Sequence, residues 1–279
     1  MHAWRRNFLL ATASLMMAFT ASAHAGEVPE AIRKAGVLHL SVNAIYPPME
    51  YKDTASDKLV GLDIDLADAI AAKLGLTIVW QESAFEQLIP SLQTGRSDFI
   101  LSGLTDLPAR RETMDFVDTM RTGAQFYTLA ANAAKMPTDL CGKRVGTSRS
   151  TAFPTQIQAW SAANCEAAGK SAIEVVPAES TADARGQLKQ SRIDAAVQGA
   201  ETIPYAMSLE PGVYRVLGAP ISTLYQGIAF RKGDTSFRDA VSDVFAGLIA
   251  DGTYGKILAK WELSGNAVSG PMLNGEKRP

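Results

Sequence analysis

The sequence predicts an α/β fold with doubly wound sheets, and three observations point to it. Short apolar runs recur along the chain, at residues 37–42, 77–80, 99–101, 125–131, 144–147, 173–176, 194–197 and 223–232. Stretches with helical spacing separate many of them, notably residues 61–75, 153–165 and 182–190. Glycine, proline or a Ser/Thr cluster stands at most of the junctions. Strands alternating with helices build a sheet covered on both faces, and such sheets hold ligands at their strand ends. At 279 residues the chain suffices for one large domain or two small ones.

The first 25 residues read as an export leader. Arg5 and Arg6 precede an apolar run at residues 8–19, too short for a spanning helix. Ala23-His24-Ala25 fits a small-x-small cleavage site, so a mature chain beginning at Gly26 is expected, with Ala21-Ser22-Ala23 as a second site. Arg5-Arg6-Asn7-Phe8-Leu9 fits either a twin-arginine signal or an ordinary secretory leader that holds two arginines. No cysteine follows the cleavage region, so no lipid anchor is expected. The chain has 27 basic and 29 acidic residues, and losing Arg5 and Arg6 leaves 25 against 29, a net charge of −4. That argues against a nucleic-acid partner, which needs a basic surface. No later stretch is apolar enough to span a membrane, so a soluble exported protein is expected.

Cys141 and Cys165 both lie in the exported part. An oxidising compartment favours a disulfide between them, the alternative being two free buried thiols. Of three histidines, His2 and His24 leave with the leader, and His39 sits in an alternating strand pattern opposite leucines. Histidine triads and zinc sites therefore have almost no material. Phosphate-binding glycine loops and dinucleotide fingerprints are absent too, so no metal or other cofactor is expected.

The elements follow in order. Residues 30–35 form a short helix and 37–42 the first strand. Two prolines after Tyr46 stiffen the next loop and fix where its ring points. In residues 61–75 Leu66, Ile70 and Leu74 share one helix face, Asp63 lies near the start and Gly75 ends it. Residues 77–80 are the second strand. Ser83-Ala84-Phe85-Glu86 fits a capping box, which places Phe85 in the first turn of a helix that Pro90 interrupts or limits to two short turns. Phe99-Ile100-Leu101 is a buried strand ended by Ser102-Gly103. Pro108 suits a first helical turn, with Arg110 and Arg111 following. A helix start offers free N–H groups to an anion, and an arginine one turn later adds a two-pronged donor that fits a carboxylate. The alternative is a surface arginine paired with Glu112 or Asp106.

Several motifs stand in a telling order: Tyr46-Pro47-Pro48-Met49-Glu50-Tyr51, Gly61-Leu62-Asp63-Ile64-Asp65-Leu66, Phe85-Glu86-Gln87-Leu88-Ile89-Pro90-Ser91-Leu92, and Ser102-Gly103-Leu104-Thr105 with Arg110 and Asp115-Phe116 behind. In this spacing the chain resembles the polar amino-acid-binding proteins of bacterial ABC importers, solute-binding protein family 3. The resemblance implies a type II periplasmic-binding-protein fold of two lobes, each a doubly wound sheet. Residues 26–120 and 224–263 would form the first lobe and 121–223 the second, with hinge crossings near 119–123 and 222–226. Residues 264–279, small and polar, are expected to be a loose tail.

The resemblance also implies a site. Tyr46 and Phe85 match rings that sandwich the ligand. Arg110 matches the carboxylate-binding arginine, while Arg111 has no match and is expected in solvent. Thr105 and the Gly103 carbonyl would face the ligand's amine, and Leu107 stands where a second threonine is common. Ser150 and Thr151 match carboxylate donors at a helix start. Where the family has an amine-binding aspartate this chain has Gly199. Glu201 either reaches the same point or caps the following helix. Asn43 replaces a frequent aspartate, and Arg149 and Arg121 stand near the cleft where neutral or aromatic residues are common. These departures favour ligands without a free amine, or an acidic or modified amino acid over lysine and arginine. The implied function is capture of an amino acid or related small carboxylate in the periplasm, by a monomer, for delivery to an ABC permease. The alternative is an enzyme on the same fold, like cyclohexadienyl dehydratase, with Glu201 as proton donor.

Overall fold

In the computed structural model, residues 26–277 are described, and their strands fall into three sheets. The expected leader, residues 1–25, lies outside the described residues. The largest sheet runs in the order Glu276–Lys277, Ala267–Leu273, Met114–Thr122, Leu224–Arg231, Phe99–Ile100, Val37–Val42, Thr77–Glu82. Val37–Val42 is parallel to both its neighbours, and Leu224–Arg231 is antiparallel to both of its own. The second sheet runs Glu174–Ala178, Arg144–Ser148, Ala195–Gly199, Ala124–Leu129, Tyr214–Val216, with the first three parallel. Ile45–Tyr46, Glu50–Lys52 and Leu59–Val60 form a small antiparallel sheet.

Each large sheet is buried on both faces, as alternating residues in strands require. Leu38, Phe99, Ile228 and Phe230 pack with Leu66, Ile70 and Phe237 on one side of the first sheet. Ile100, Phe116 and Ala229 pack with Leu88 and Leu92 on the other. In the second sheet Phe126, Val145 and Val197 meet Ile157, while Tyr127 and Ala196 meet Leu188 and Ile203. The two-lobed α/β fold expected from the sequence is therefore present.

The chain passes from Met114–Thr122 through Gly123 into Ala124–Leu129, and returns as Leu224–Arg231. The crossings lie side by side, with Leu224 opposite Thr122. A Cβ on Gly123 would sit 2.1 Å from the Ser222 carbonyl oxygen, so only glycine admits this approach. Cys141 and Cys165 form the expected disulfide, with Cα atoms 5.5 Å apart. It ties the turn before Arg144–Ser148 to the end of helix Phe153–Asn164. Among the described residues no helix is long and apolar enough to cross a membrane, and no cluster of acids, histidines or cysteines could hold a metal.

Two local expectations are corrected. The tail is not loose: Ala267–Leu273 joins the large sheet beside Met114–Thr122. Its turn is pinned by side chains, the Phe116 N–H donating to Asn274 Oδ1 at 2.8 Å and the Gly275 N–H to Asp118 Oδ2 at 2.7 Å. Backbone pairing and these two bonds outweigh a polar composition. The capping box does not form: Ala84, not Ser83, precedes the 3₁₀ turn Phe85–Gln87, and the Ser83 hydroxyl is buried without a partner. Of the two readings of Pro90, the structure has the short one: the 3₁₀ turn Phe85–Gln87 runs into the six-residue helix Leu88–Gln93, and Pro90 stands in its first turn, where no N–H is needed.

Met114–Thr122 hides buried acids. The Asp118 side chain is fully buried, with Oδ1 unpartnered. Burial first, and the neighbouring Asp106 charge second, push its carboxyl up to about 7. The folded value exceeds the unfolded one of about 4. Stability from this group is therefore complete below about pH 4 and lost as pH rises through 7. Asp118→Asn should stabilise the protein at pH 8 by about 1–3 kcal/mol and flatten the decline between pH 5 and 8. Denaturant titrations at both pH values check this, and an unchanged pH slope contradicts it.

Candidate functional site

A cavity of about 280 Å³ opens where the carboxyl ends of parallel strands from the two large sheets face each other. Asn43 follows Val37–Val42, and Gly103 and Thr105 follow Phe99–Ile100. Ser148 ends its strand, and Glu179 follows Glu174–Ala178. Of the residues expected at a site, Asn43, Tyr46, Phe85, Gly103, Thr105, Arg110, Arg149, Ser150 and Thr151 all line this cavity. Gly199 and Glu201 do not.

Pro108 opens the short helix Pro108–Arg111, which carries Arg110 to the wall. Arg110 Nη1 donates to the Thr105 carbonyl at 2.7 Å, which holds the guanidinium in place. No carboxylate pairs with it among the described residues, and burial lowers its pKa to about 10. It therefore stays charged at neutral pH, partly stripped of water and unanswered. Arg111, expected in solvent, instead forms a two-pronged pair with Asp106, at 2.6 and 2.8 Å.

Across the cavity the chain turns into helix Phe153–Asn164. Ser150 has φ of 60°, a left-handed position that lets the chain fold back into the helix start. The Thr151 hydroxyl donates to the Ser148 carbonyl at 2.7 Å, so that proton is already committed. The backbone N–H groups of residues 150–152 make no hydrogen bond within the described residues, the pattern that suits an anion. Arg149 is not free: it pairs with Glu179 at 2.7 Å. Asn43 Nδ2 is occupied by the Ser83 carbonyl at 2.9 Å.

Below Tyr46 lies a set of buried acids that motif reading did not assign to the site. Glu50 also lines the cavity, and its Oε1 accepts from the Ser102 hydroxyl at 3.0 Å. Burial, then the nearby Asp63 charge, pushes Glu50 well above the usual carboxylate range. Asp63 accepts the Gly103 N–H at 2.7 Å, and burial raises it to about 6. Glu201 sits behind the Tyr46 ring, and burial raises it as well. Tyr46 itself titrates well above its ordinary value, from burial and then the Glu201 charge.

Further wall residues went unassigned, among them Glu86, Phe153, Glu179, Ser180 and Thr181. Ser180 caps helix Thr181–Lys189, its hydroxyl accepting from the Asp183 N–H at 3.1 Å. The Ser-x-x-Asp spacing at the end of a strand was the available signal.

A family model described as bacterial extracellular solute-binding proteins, family 3, matches residues 38–264. An arginine-binding protein of Corynebacterium glutamicum is 31% identical over 248 residues, covering 88% of this chain and 81% of its own. A histidine-binding periplasmic protein of Salmonella typhimurium is 30% identical over 259 residues, covering 89% and 94%. A solved ancestral arginine-binding protein bound to arginine superposes with a TM-score of 0.73 at 31% identity, over 81% of this chain and 98% of that one.

Proposed function

The chain belongs to the bacterial extracellular solute-binding proteins of family 3, and from that premise we propose that it captures an amino acid by its carboxylate and delivers it to an ABC permease. The observation that carries the ligand class is Arg110: a half-buried guanidinium in the cavity wall with no acid paired to it among the described residues. The free amides of residues 150–152 support the same end of the ligand from the other side. Tyr46 and Phe85 supply rings for its carbon skeleton. The relatives above are binding proteins, and Glu201, the one proton donor considered, does not line the cavity. The enzyme reading is therefore set aside. Export by the N-terminal leader and action as a monomer complete the proposal.

The expected bias against lysine and arginine rested on the uncharged Gly199 and Asn43 and on the charge of Arg149 nearby. Glu179 answers the Arg149 charge, and the wall has acids in Glu50 and in Glu86, the latter exposed and without a partner among the described residues. We infer a neutral or cationic side chain, with arginine and histidine, the ligands named for the relatives, first to be tested. Mass spectrometry of solute released by denaturing the purified protein identifies the ligand directly. A thermal-shift panel of amino acids, their N-acylated forms and dicarboxylates checks the class. A dicarboxylate giving the largest shift would overturn the side-chain assignment, and a ligand without a carboxylate would overturn the role of Arg110.

A further inference from the structure

Glu201 stands two residues beyond strand Ala195–Gly199 and is 2% exposed. Its carboxylate accepts hydrogen bonds from three side chains: Thr122 Oγ1 at 2.7 Å, Gln226 Nε2 at 2.7 Å and Tyr46 OH at 3.2 Å. The donors come from three separate places. Thr122 ends the first crossing strand, Gln226 lies in the returning one, and Tyr46 is in the cavity wall. Gln226 leaves its own Oε1 buried and unpartnered, so its amide is committed to the carboxylate at a cost. Gly199 makes the room: a Cβ there would lie 2.0 Å from Glu201 Oε1 and 2.5 Å from Tyr46 OH. The glycine and the glutamate are thus one feature.

We propose that Glu201 is a positioning residue, a single buried carboxylate that fastens Tyr46 of the cavity wall to both crossing strands, so that the set of the ring and the angle between the large sheets are fixed together. This rests on the cavity being the solute site, and the joint itself is made only of the chain's own side chains. Three donors fill most of the lone pairs of a carboxylate, and none of them can be removed without leaving buried charge less satisfied. The ligand's amine is left to other acceptors in the wall, the Gly103 carbonyl, the Thr105 hydroxyl and the Glu50 carboxyl.

The test has two arms. X-ray scattering of the ligand-free mature protein compares wild type with Glu201→Gln and Tyr46→Phe. Glu201→Gln keeps the volume but offers one acceptor oxygen, and Tyr46→Phe keeps the ring but removes the donor that crosses the cleft. Both should raise the radius of gyration while a cooperative melting transition is retained. An unchanged radius in both overturns the joint. Calorimetry of Glu201→Gln with L-arginine and with 5-guanidinopentanoate, which lacks the α-amine, forms the second arm. Affinity for both should fall by the same factor, about tenfold. A loss confined to L-arginine would make Glu201 the amine's partner and overturn the proposal. If wild type binds neither probe, the ligand assignment falls, and scattering alone upholds or overturns the joint.

Discussion

Arg110→Ala is expected to weaken ligand binding by roughly two to four orders of magnitude, the consequence of breaking a buried charge pair worth about 3–5 kcal/mol. The fold already bears part of the cost. Its guanidinium is held against the Thr105 carbonyl, partly desolvated and without a counter-charge, as its lowered pKa of about 10 reflects. A ligand carboxylate therefore gains a planar, charge-assisted contact without first displacing an internal partner. The same logic gives the opposite sign for the empty protein. Removing an unanswered buried charge should leave its melting temperature unchanged or raise it. Arg110→Lys keeps the charge but loses the fork, and its loss should fall between wild type and alanine. Calorimetry with the identified solute and melting of the free protein check both halves. A loss below tenfold for Arg110→Ala would remove Arg110 from the site.

Opening the disulfide is the second large effect. Cys141 and Cys165 are 24 residues apart, and a loop of that size is worth about 3 kcal/mol in the chain-entropy model. A Cys141→Ala/Cys165→Ala double variant should lose about that much in denaturant titrations. The bridge lies at the end of helix Phe153–Asn164 remote from residues 150–152. Ligand affinity measured below the melting temperature should therefore stay within a few-fold of wild type. A loss under 1 kcal/mol, or free thiols in the denatured unreduced protein, would contradict the assignment.

What could be read from the sequence was local. Gly75 after an amphipathic run, Pro108 at a helix start and the Ser150-Thr151 turn each set their own backbone, and each is found where expected. Nine of the eleven residues expected at the site line one cavity because they sit at strand ends, or in the short turns and helix that follow them, which the fold brings together. What failed was long-range. Met114–Thr122 did not read as a strand because Asp115, Asp118 and Thr119 interrupt its apolar residues. Their partners, Lys232, Gly275 and Gln226, lie about a hundred residues or more away. The pairing of Arg149 with Glu179, and of Glu201 with Tyr46, likewise depends on which strand ends meet. No spacing within a motif records that.

The docked C-terminal strand has a further consequence, for solubility. Without Ala267–Leu273, strand Met114–Thr122 would form the edge of the large sheet, with a row of backbone donors and acceptors open to another chain. Residues 267–277 therefore act as a built-in guard against self-assembly, latched by Asn274 and Gly275. A chain clipped before Ala267 would keep its cavity residues and lose its protection. It would pair edge to edge with its own copies, so intact ends matter as much to a usable preparation as an intact site.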